Sequence, residues 1–325
     1  MREDLLKELE AEYEQIRLAD EREEAARRQR IREEEPGIDA LARQREDLVF
    51  GTLRNILKGN AGNGKDLPLR MEELNGLISD KLQERGFPRD YLAPVYRCSL
   101  CRDTGRIGET VKEPCECLKK AYQRKLREKI GLNSGKAETF ETFDLNVIPE
   151  EKIPGQEFTQ REIMRMYKAI CEKWANEYPD AAYRDLVLSG GTGLGKTFLL
   201  RAMAERLIER DQNVLIISAY SMNEILRKSY FEHDGSAAEL QDIDILMIDD
   251  LGSEPMMQNV TVEQLFNLLN ERQNRGKSTV ISTNLDMARF RERYTERIAS
   301  RLRTSQCKIL SLMGKDIRTG GSLKA

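Results

Sequence analysis

Apolar residues in the second half of the chain fall into short continuous runs, which alternate with segments where apolar residues recur every three or four positions. Short continuous runs are typical of strands buried on both faces, and the wider spacing is typical of amphipathic helices. The alternation predicts an α/β fold with a parallel sheet between two helical layers. The five predicted strands are 185–189, 213–218, 243–248, 277–282 and 307–312.

The first third of the chain has a different pattern, dense in charged residues and poor in apolar ones. Residues 1–35 lack glycine and proline, so they predict a long helix that ends before Pro36. Its narrow apolar stripe consists of Leu5, Leu6, Leu9, Tyr13 and Ile16. Such a stripe either packs against the same protein or binds a partner, and both interpretations stay open. Further predicted elements are helices at 38–57 and 70–85 and a loop at 58–65.

The chain of 325 residues is 34% charged but has a net charge of only −3, so composition gives no global signal for nucleic acid. No run approaches the roughly 20 apolar residues that span a bilayer, and the N-terminus lacks the apolar core of a secretory signal. We therefore expect a cytoplasmic protein with no membrane contact. The single histidine, His233, lies in a polar stretch and is expected at the surface, which disfavours Ser-His-Asp and Cys-His catalysis.

A glycine-rich loop lies between the first predicted strand and the helical pattern after it. It reads G-G-T-G-L-G-K-T, which matches the phosphate-binding form G-x-x-x-x-G-K-[ST]. In that form backbone N–H groups point at phosphates, Lys196 reaches the β- and γ-phosphates, and the Thr197 hydroxyl ligates Mg²⁺. The order of strand, loop and helix favours nucleotide binding over a chance match. The predicted nucleotide-binding residues are Gly190, Gly191, Thr192, Gly193, Leu194, Gly195, Lys196 and Thr197.

The third predicted strand is followed by two aspartates, and the fourth by an asparagine. Asp249 is predicted to hold Mg²⁺, and Asp250 to orient or deprotonate the attacking water, as in a Walker B strand. The fourth strand is expected between the first and third, so that Asn284 would face the γ-phosphate. Arg297 and Arg301 share one helix face, which is either simply solvated or placed near a neighbour's γ-phosphate.

Four of the six cysteines lie close together in the spacing C-x₂-C-x₁₃-C-x-C: Cys98, Cys101, Cys115 and Cys117. In a cytosolic chain such a cluster indicates a metal before a disulfide. Two close pairs with a hairpin-sized gap suit a structural zinc ion in tetrahedral geometry, with an iron–sulfur cluster or four unliganded thiols as alternatives. Cys171 and Cys307 lie in apolar patterns and are predicted to be core residues.

The patterns divide the chain into four predicted regions. Charged helices at 1–97 form a partner-binding region, and the cysteines with the basic helix after them form a zinc module at 98–130. Residues 131–155 contain glycine, proline and polar side chains and are predicted to be a linker. The ATPase domain is predicted at 156–325.

The motifs G-G-T-G-L-G-K-T, I-D-I-L-M-I-D-D-L-G, S-T-N-L and E-R-I-A-S-R-L, in this order and spacing, resemble those of the AAA+ ATPases of the bacterial helicase-loader family (DnaC/DnaI-like). That family is related to IstB-like ATP-binding proteins, and the similarity covers about 139–318. It implies that Asn284 is sensor 1. It also implies that Arg301 is an arginine finger, with Arg297 as a possible second, and that Arg318 senses nucleotide within its own subunit.

The resemblance extends to DNA binding and to the cysteine cluster. The cysteine stretch resembles the amino-terminal part of loaders from Gram-positive bacteria and their phages. In these loaders the helix between the second strand and Walker B touches single-stranded DNA. Here Arg227 and Lys228 would meet phosphates, while Tyr230 or Phe231 would stack on a base. The residues alone favour an ordinary amphipathic helix with its aromatic side chains in the core.

The resemblance implies an ATP-dependent replication protein that loads the replicative helicase onto single-stranded DNA. The implied cofactors are ATP or ADP, Mg²⁺ and structural Zn²⁺. The implied partners are a replicative helicase at the amino-terminal region, single-stranded DNA and further copies of the chain. ATP hydrolysis is expected to be slow and stimulated by single-stranded DNA, since Asp250 stands where most AAA+ proteins carry glutamate. The alternatives are an IstB-like transposition helper, a nucleotide-gated DNA-binding adaptor and a small-molecule kinase.

Overall fold

The computed structural model divides the chain into two compact units. The helical unit is Lys7–Leu118, and the α/β unit is Met1–Leu6 together with Lys119–Ala325. The described residues are 2–57, 67–108, 112–132, 138–232, 235, 237–257 and 260–318. The predicted loop at 58–65, part of the predicted linker and His233 lie outside them.

The boundary between the units falls inside the predicted zinc module at 98–130. It follows Leu118, so the four clustered cysteines belong to the helical unit and most of the basic helix belongs to the α/β unit. The finer boundaries of the four sequence-based regions remain a prediction.

Three long helices form most of the helical unit: α1 (Arg2–Glu34), α2 (Pro36–Leu57) and α3 (Leu67–Glu84). A single residue separates α1 from α2, because proline ends one helix and suits the first turn of the next. Apolar residues of all three helices form one cluster, centred on Ile31, Ile38, Ile78 and Leu82. A small antiparallel hairpin of β1 (Arg106–Ile107) and β2 (Glu113–Pro114) follows them in the chain.

The apolar stripe of α1 is largely buried. Leu5, Leu9 and Tyr13 each expose less than a tenth of their surface. Of the two interpretations of this stripe, the structure therefore favours packing within the same protein. No helix of the described ranges is both long enough and apolar enough to cross a membrane.

The α/β unit contains the predicted five-stranded parallel sheet. Its strands are β3 (Asp185–Gly190), β4 (Val214–Ser218), β5 (Ile245–Leu251), β6 (Ser278–Thr283) and β7 (Cys307–Leu312). Their order across the sheet is β4-β5-β6-β3-β7, which confirms that the fourth strand of this sheet lies between the first and the third. The central strands are buried on both faces, which explains their unbroken apolar runs.

Strand β5 is longer than the sequence predicted. It continues through Asp249 and Asp250 to Leu251, because Leu251 still pairs with Thr283 of β6 after an irregularity in the register. Asp249 therefore lies within the strand, while Asp250 lies at the irregularity near its end, where its carbonyl oxygen accepts the N–H of Ser253 in a turn.

Helices cover both faces of this sheet. They are α4 (Glu116–Lys129), α5 (Gln160–Glu177), α6 (Lys196–Glu209), α7 (Ala219–Glu232), α8 (Ala238–Asp242), α9 (Thr261–Asn274) and α10 (Met287–Arg301), with a short 3₁₀ helix at Leu145–Val147. Leu186 and Leu188 of β3 point into a core cluster with α5 and α6, while Val187 points into a second cluster with α7, α9 and α10. The side chains of successive strand residues thus point to opposite faces of the sheet.

The two isolated cysteines lie in these cores, as the sequence predicted. Cys171 of α5 is in the first cluster and Cys307 of β7 is in the second. Burial raises the pKa of each thiol to about 12, so neither is a reactive thiolate at neutral pH.

Arg272 of α9 is fully buried, although the charged sequence of this helix gave no sign of it. Its guanidinium donates to the carbonyl oxygens of Leu240 (2.7 Å), Ile243 (2.8 Å) and Ser278 and to the hydroxyl of Thr279 (3.0 Å). Burial lowers the pKa of Arg272 to about 10, so the side chain stays charged at neutral pH. It therefore ties α8 and the segment before β5 to the first residues of β6.

Replacing Arg272 with methionine should lower the free energy of unfolding by about 3 kcal/mol or more, because several buried carbonyl groups would lose their donor. Chemical denaturation measures the change. Arg275→Met is the matched control, since that arginine is partly exposed and ion-paired at the surface with Asp242 and Glu271. The control should cost less than about 1 kcal/mol. Equal losses in the two variants would contradict the role given to Arg272.

Candidate nucleotide site and metal centre

The glycine-rich loop connects the end of β3 to the start of α6. Gly190 has φ +151°, and a Cβ atom there would lie 2.2 Å from the carbonyl oxygen of Leu312, so only glycine fits. Gly195 adopts φ 83° at the start of α6 and makes no side-chain capping bond. The first N–H groups of α6 therefore have no capping side chain and point where an anion can bind them.

Lys196 is the cation of this loop. It is 8% exposed, and its Nζ donates to the carbonyl oxygens of Gly190 (2.7 Å) and Gly191 (2.6 Å). Burial lowers the pKa of Lys196, and the carboxylates of Asp250 and Asp249 oppose that shift. A phosphate group in the loop would give this buried ammonium a full opposite charge, which two carbonyl dipoles do not supply.

Asp249 connects three elements of the site. Its Oδ1 accepts hydrogen bonds from the hydroxyls of Thr197 on α6 (3.1 Å) and Ser282 on β6 (2.5 Å). The Ser282 hydroxyl also accepts a bond from the backbone N–H of Asp250 (2.9 Å). Thr197 and Asp249 are thus close enough to share one Mg²⁺, and both offer the oxygen ligands that this ion prefers.

Sequence reasoning did not single out Ser282 as a site residue. Ile248 pairs with Ile281 in the parallel register of β5 and β6. That register places the residue after Ile281 beside Asp249. A correct prediction of strand order and register together would have found it.

A cavity of about 580 Å³ lies over the loop. This volume is in the usual range of small-molecule sites. The predicted residues that it brings together are Thr192, Gly193, Leu194, Gly195, Lys196, Thr197, Asp249, Asp250, Asn284 and Arg318. Its lining also includes four residues that were not predicted: Glu138, Phe198, Ser282 and Ile317. Gly190 and Gly191 shape the loop but are not among the lining residues.

The segment 314–318 brings Arg318 to this cavity. The buried side chain of Gln160 donates to the carbonyl oxygen of Lys315 (2.9 Å) and accepts from its N–H (2.9 Å). The segment also donates a backbone N–H to the carbonyl oxygen of Gly193 in the loop (3.0 Å). These contacts place a second cation near Lys196, which suits the several negative charges of a nucleotide.

Arg297 and Arg301 do not line the cavity of their own chain. Both lie at the end of α10 against the ring of Phe266, with guanidinium carbons 3.9 and 4.6 Å from the ring centroid. Arg301 also donates to the side chain of Gln273 (3.4 Å). The role of either arginine at a neighbouring subunit, which the sequence motifs imply, remains a prediction.

The aromatic residues predicted to contact DNA are exposed on α7. Tyr230 is 48% exposed and Phe231 54% exposed, and their rings lie edge to face with centroids 5.1 Å apart. The interpretation that placed these rings in the core is wrong, because the helix buries Met222 and Leu226 instead.

The basic residues predicted to contact DNA lie on the same helix in surface ion pairs. Arg227 is 3.1 Å from Glu224, and Lys228 is 3.9 Å from Glu232. Exposed pairs of this kind contribute little stability, so a phosphate group could replace the carboxylate at small cost.

The four clustered cysteines come together in the helical unit. All four Sγ atoms lie within 4.8 Å of one another, with Cys98 and Cys115 separated by 3.8 Å and Cys101 and Cys117 by 3.4 Å. Four sulfur ligands around one zinc at about 2.3 Å would be about 3.8 Å apart. A backbone hydrogen bond from Cys101 lowers the pKa of the Cys98 thiol to about 7, which favours the thiolate form that zinc binds, whereas burial raises the pKa of Cys101 and Cys117. The cluster therefore fits a structural zinc ion.

Two side chains outside the cluster hold it in shape. Asp103 is buried, and its carboxylate accepts from the backbone N–H groups of Arg97 (2.7 Å) and Cys98 (2.9 Å). The hydroxyl of Tyr13 on α1 is hydrogen-bonded to Cys117. Contacts of this kind orient the ligands of a metal.

The sheet order, the loop after β3 and the aspartates of β5 define a P-loop ATP-binding protein of the AAA+ type. The family model described as "IstB-like ATP binding protein" matches residues 157–325. The chain belongs to this family, which is related to the one that the sequence motifs resemble.

Similarity to individual proteins covers part of the chain. The chromosomal replication initiator protein DnaA of Roseiflexus castenholzii is 35% identical over 127 residues, which are 37% of this chain and 25% of that protein. The DnaA of Chloroflexus aggregans is 35% identical over 126 residues, with the same shares. The chain thus spans about a quarter of the length of these relatives.

The comparison with solved structures matches part of the chain to DnaI and to the DnaC helicase loader. The crystal structure of DnaI is 23% identical, with 60% of this chain and 99% of that chain covered and a TM-score of 0.44. The crystal structure of the DnaC helicase loader is 18% identical, with 54% and 98% covered and a TM-score of 0.43.

The purified full-length protein should carry about one zinc ion per chain, because four thiolates saturate a tetrahedral site. Elemental analysis measures the ion. Cys115→Ser should reduce the zinc content to well below one, whereas Cys171→Ser should leave it unchanged because that buried cysteine lies in the core of the α/β unit. Stoichiometric iron in the native protein, or the same zinc content in both variants, would contradict the assignment.

Proposed function

We propose that the protein is an ATP-dependent replication protein that loads a replicative helicase onto single-stranded DNA. The observation that supports the proposal is that the residues expected to bind phosphate and Mg²⁺ line one cavity, while Arg301 lies outside that cavity. A site of this kind is completed by a second copy of the chain. ATP binding and assembly would then depend on each other.

The proposed hydrolysis follows from the groups around the cavity. Lys196 and the N–H groups of the loop hold the β- and γ-phosphates, and Asn284 orients a water molecule towards the γ-phosphorus. Asp250 accepts the proton of this water while the bond from the γ-phosphorus to the bridging oxygen of ADP breaks. Thr197 and Asp249 would hold Mg²⁺, which when bound neutralises charge on the phosphate oxygens. The short side chain of Asp250 is the reason to expect slow turnover.

In this proposal the nucleotide is contacted by an arginine of its own subunit and by arginines of a neighbouring subunit. Arg318 lines the cavity of its own chain and would sense the nucleotide within the subunit. Arg301, with Arg297 beside it, would stabilise the transition-state charge at the site of a neighbouring subunit. Hydrolysis would therefore require at least a pair of subunits.

Single-stranded DNA would bind along α7. The exposed rings of Tyr230 and Phe231 can stack on bases of any sequence, and Arg227 and Lys228 can meet phosphates. Stacking of this kind suits a protein that holds unpaired DNA without reading its sequence.

The helical unit would bind the helicase. Its α2 and α3 expose large apolar side chains, with Phe50 64%, Leu69 63% and Leu77 52% exposed. Exposed apolar side chains of this size support a protein partner for these helices. The zinc ion would stabilise the fold of this unit.

A second candidate function is that of an ATPase helper in transposition. The match to the IstB-like family over residues 157–325 favours it. The cysteine cluster favours the loader, since it resembles the amino-terminal part of helicase loaders. Both candidates share the ATP chemistry and differ in the partner.

A loading assay tests the proposal with the replicative helicase of the same organism and a single-stranded DNA circle. ATP and the protein should raise the amount of circle-bound helicase roughly tenfold or more, a coupling within the usual range for linked sites. Lys196→Ala should abolish the increase, because the buried ammonium group holds the phosphates. Asp250→Asn should still form the complex with helicase but fail to release it.

Variants on α7 provide the control for the DNA contact. Tyr230→Ala with Phe231→Ala should weaken capture of the DNA circle without changing co-purification of the helicase. Phe158→Ala is the matched control, because this aromatic residue is 47% exposed in the same unit but lies outside α7. No helicase co-purification with the native protein, or full loading by Lys196→Ala, would overturn the proposal.

A further inference from the structure

A buried carboxylate follows the paired aspartates of β5. Glu254 is 2% exposed, and its Oε2 accepts the backbone N–H of Gly252 (2.8 Å). Its Oε1 accepts a hydrogen bond from the hydroxyl of Tyr294, and Nη2 of Arg293 lies 3.5 Å from the same oxygen. A buried carboxylate is costly unless it is fully bonded, so these contacts fix the position of Glu254.

The chain between Asp250 and Glu254 forms a tight turn. Asp250 has φ 57°, a value that residues other than glycine rarely adopt. Its carbonyl oxygen accepts both the N–H (3.1 Å) and the hydroxyl (2.9 Å) of Ser253. Gly252 follows with φ 114° and donates to Glu254. A shift of Asp250 towards bound nucleotide would therefore be transmitted to Glu254 through a short backbone segment that is hydrogen-bonded at Gly252 and Ser253.

Tyr294 lies at a kink in α10. It is fully buried, and burial together with the hydrogen bond to Glu254 raises the pKa of its hydroxyl, which stays a neutral donor. The next residue, Thr295, has φ 72° and ψ 159° inside the helix. A β-branched residue in this conformation is strained, and such strain persists only where the surroundings hold it. The contact of Tyr294 with Glu254 is one such restraint.

The segment after the kink carries the two candidate arginine fingers. Arg297 and Arg301 both lie against Phe266, which holds their guanidinium groups away from the cavity of their own chain. The direction of this segment depends on the backbone at Thr295, because the helix changes course there. A change in the position of Tyr294 would therefore change the direction of Arg297 and Arg301.

We propose that the Glu254–Tyr294 contact couples the ATP site of one subunit to the arginine that the same subunit presents to its neighbour. Tyr294 and Glu254 are positioning residues in this scheme, since neither lines the cavity. The inference rests on the proposed function, because it requires Arg301 to act in trans. It adds that the turn at Asp250 of a subunit determines how well Arg301 of the same subunit is positioned at the ATP site of its neighbour.

A subunit-mixing experiment tests this coupling. Asp250→Asn subunits do not hydrolyse ATP but keep the backbone carbonyl that accepts from Ser253, so the turn remains and they can donate an arginine. Arg301→Ala subunits retain the hydrolytic groups but donate no arginine. Equal mixtures should regain ATPase activity at interfaces where the first kind donates to the second. Adding Tyr294→Phe to the donating Asp250→Asn subunit should lower this regained activity roughly fivefold or more, within the range of coupling between sites. Adding it to the Arg301→Ala subunit should leave the activity unchanged.

Two further variants separate coupling from a loss of folding. Glu254→Gln keeps the shape of the side chain but weakens the bond to the tyrosine, so in the donating subunit it should reproduce the defect in part. Tyr167→Phe is the matched control, since it removes a hydroxyl that bonds the carbonyl oxygen of Ser311 (3.2 Å) and Tyr167 packs against the other core cluster, not the one that contains Tyr294. The control should lower regained activity in neither position. Nucleotide affinity and melting temperature, measured for each variant, should stay near those of its parent.

The outcomes distinguish this inference from the function on which it rests. If the simple mixture regains no activity, Arg301 does not act in trans, and both ideas fail. If the mixture regains activity that Tyr294→Phe leaves intact in the donating subunit, the coupling is overturned while the trans-acting arginine stands. If Tyr294→Phe lowers the activity equally in both kinds of subunit, the tyrosine has only a structural role and the inference is again overturned.

Discussion

The carboxylate of Asp249 is the contact on which the ATP site depends. It accepts hydroxyl bonds from Thr197 at the start of α6 and from Ser282 on β6, and it is itself part of β5. Three elements that are distant in sequence therefore meet at one oxygen atom. The parallel order of the strands makes this possible, because their carboxyl ends share one edge of the sheet. The phosphate-binding loop, the cavity and the turn that leads to Glu254 all begin at this edge.

The charges at this edge explain why a magnesium nucleotide suits it. Arg318 lies close enough to Lys196 to disfavour the charge of the lysine, and Asp249 and Asp250 line the same cavity. A triphosphate would place negative charge between Lys196 and Arg318 and so stabilise both cations. Mg²⁺ would in turn stabilise the negative charge of Asp249. The candidate arginine fingers are held on another surface by Phe266. The proposed cycle accordingly needs two copies of the chain.

Sequence reasoning succeeded where a pattern is local and failed where a contact is distant. The five strands were predictable because burial on both faces leaves unbroken apolar runs, and the loop because its motif is contiguous. The clamp of Gln160 on Lys315 joins residues 155 positions apart without any repeating pattern. Arg272 was missed because a charged residue on an amphipathic helix normally indicates a solvated face. The residues of α7 alone favoured a core position for its aromatic side chains, because their spacing does not distinguish an exposed ring from a buried one, and only the family resemblance predicted a DNA contact for them.

Isothermal titration calorimetry with Mg²⁺ and a slowly hydrolysed ATP analogue tests the central claim most directly. The native protein should bind about one nucleotide per chain with a dissociation constant in the micromolar range, as typical of small-ligand sites that bury several charged contacts. Thr197→Val should weaken this binding when Mg²⁺ is present but change it little when the ion is absent, because only the shared ligation of the ion is lost. Absence of any heat of binding up to millimolar nucleotide would contradict the account, and so would an equal effect of Thr197→Val with and without Mg²⁺.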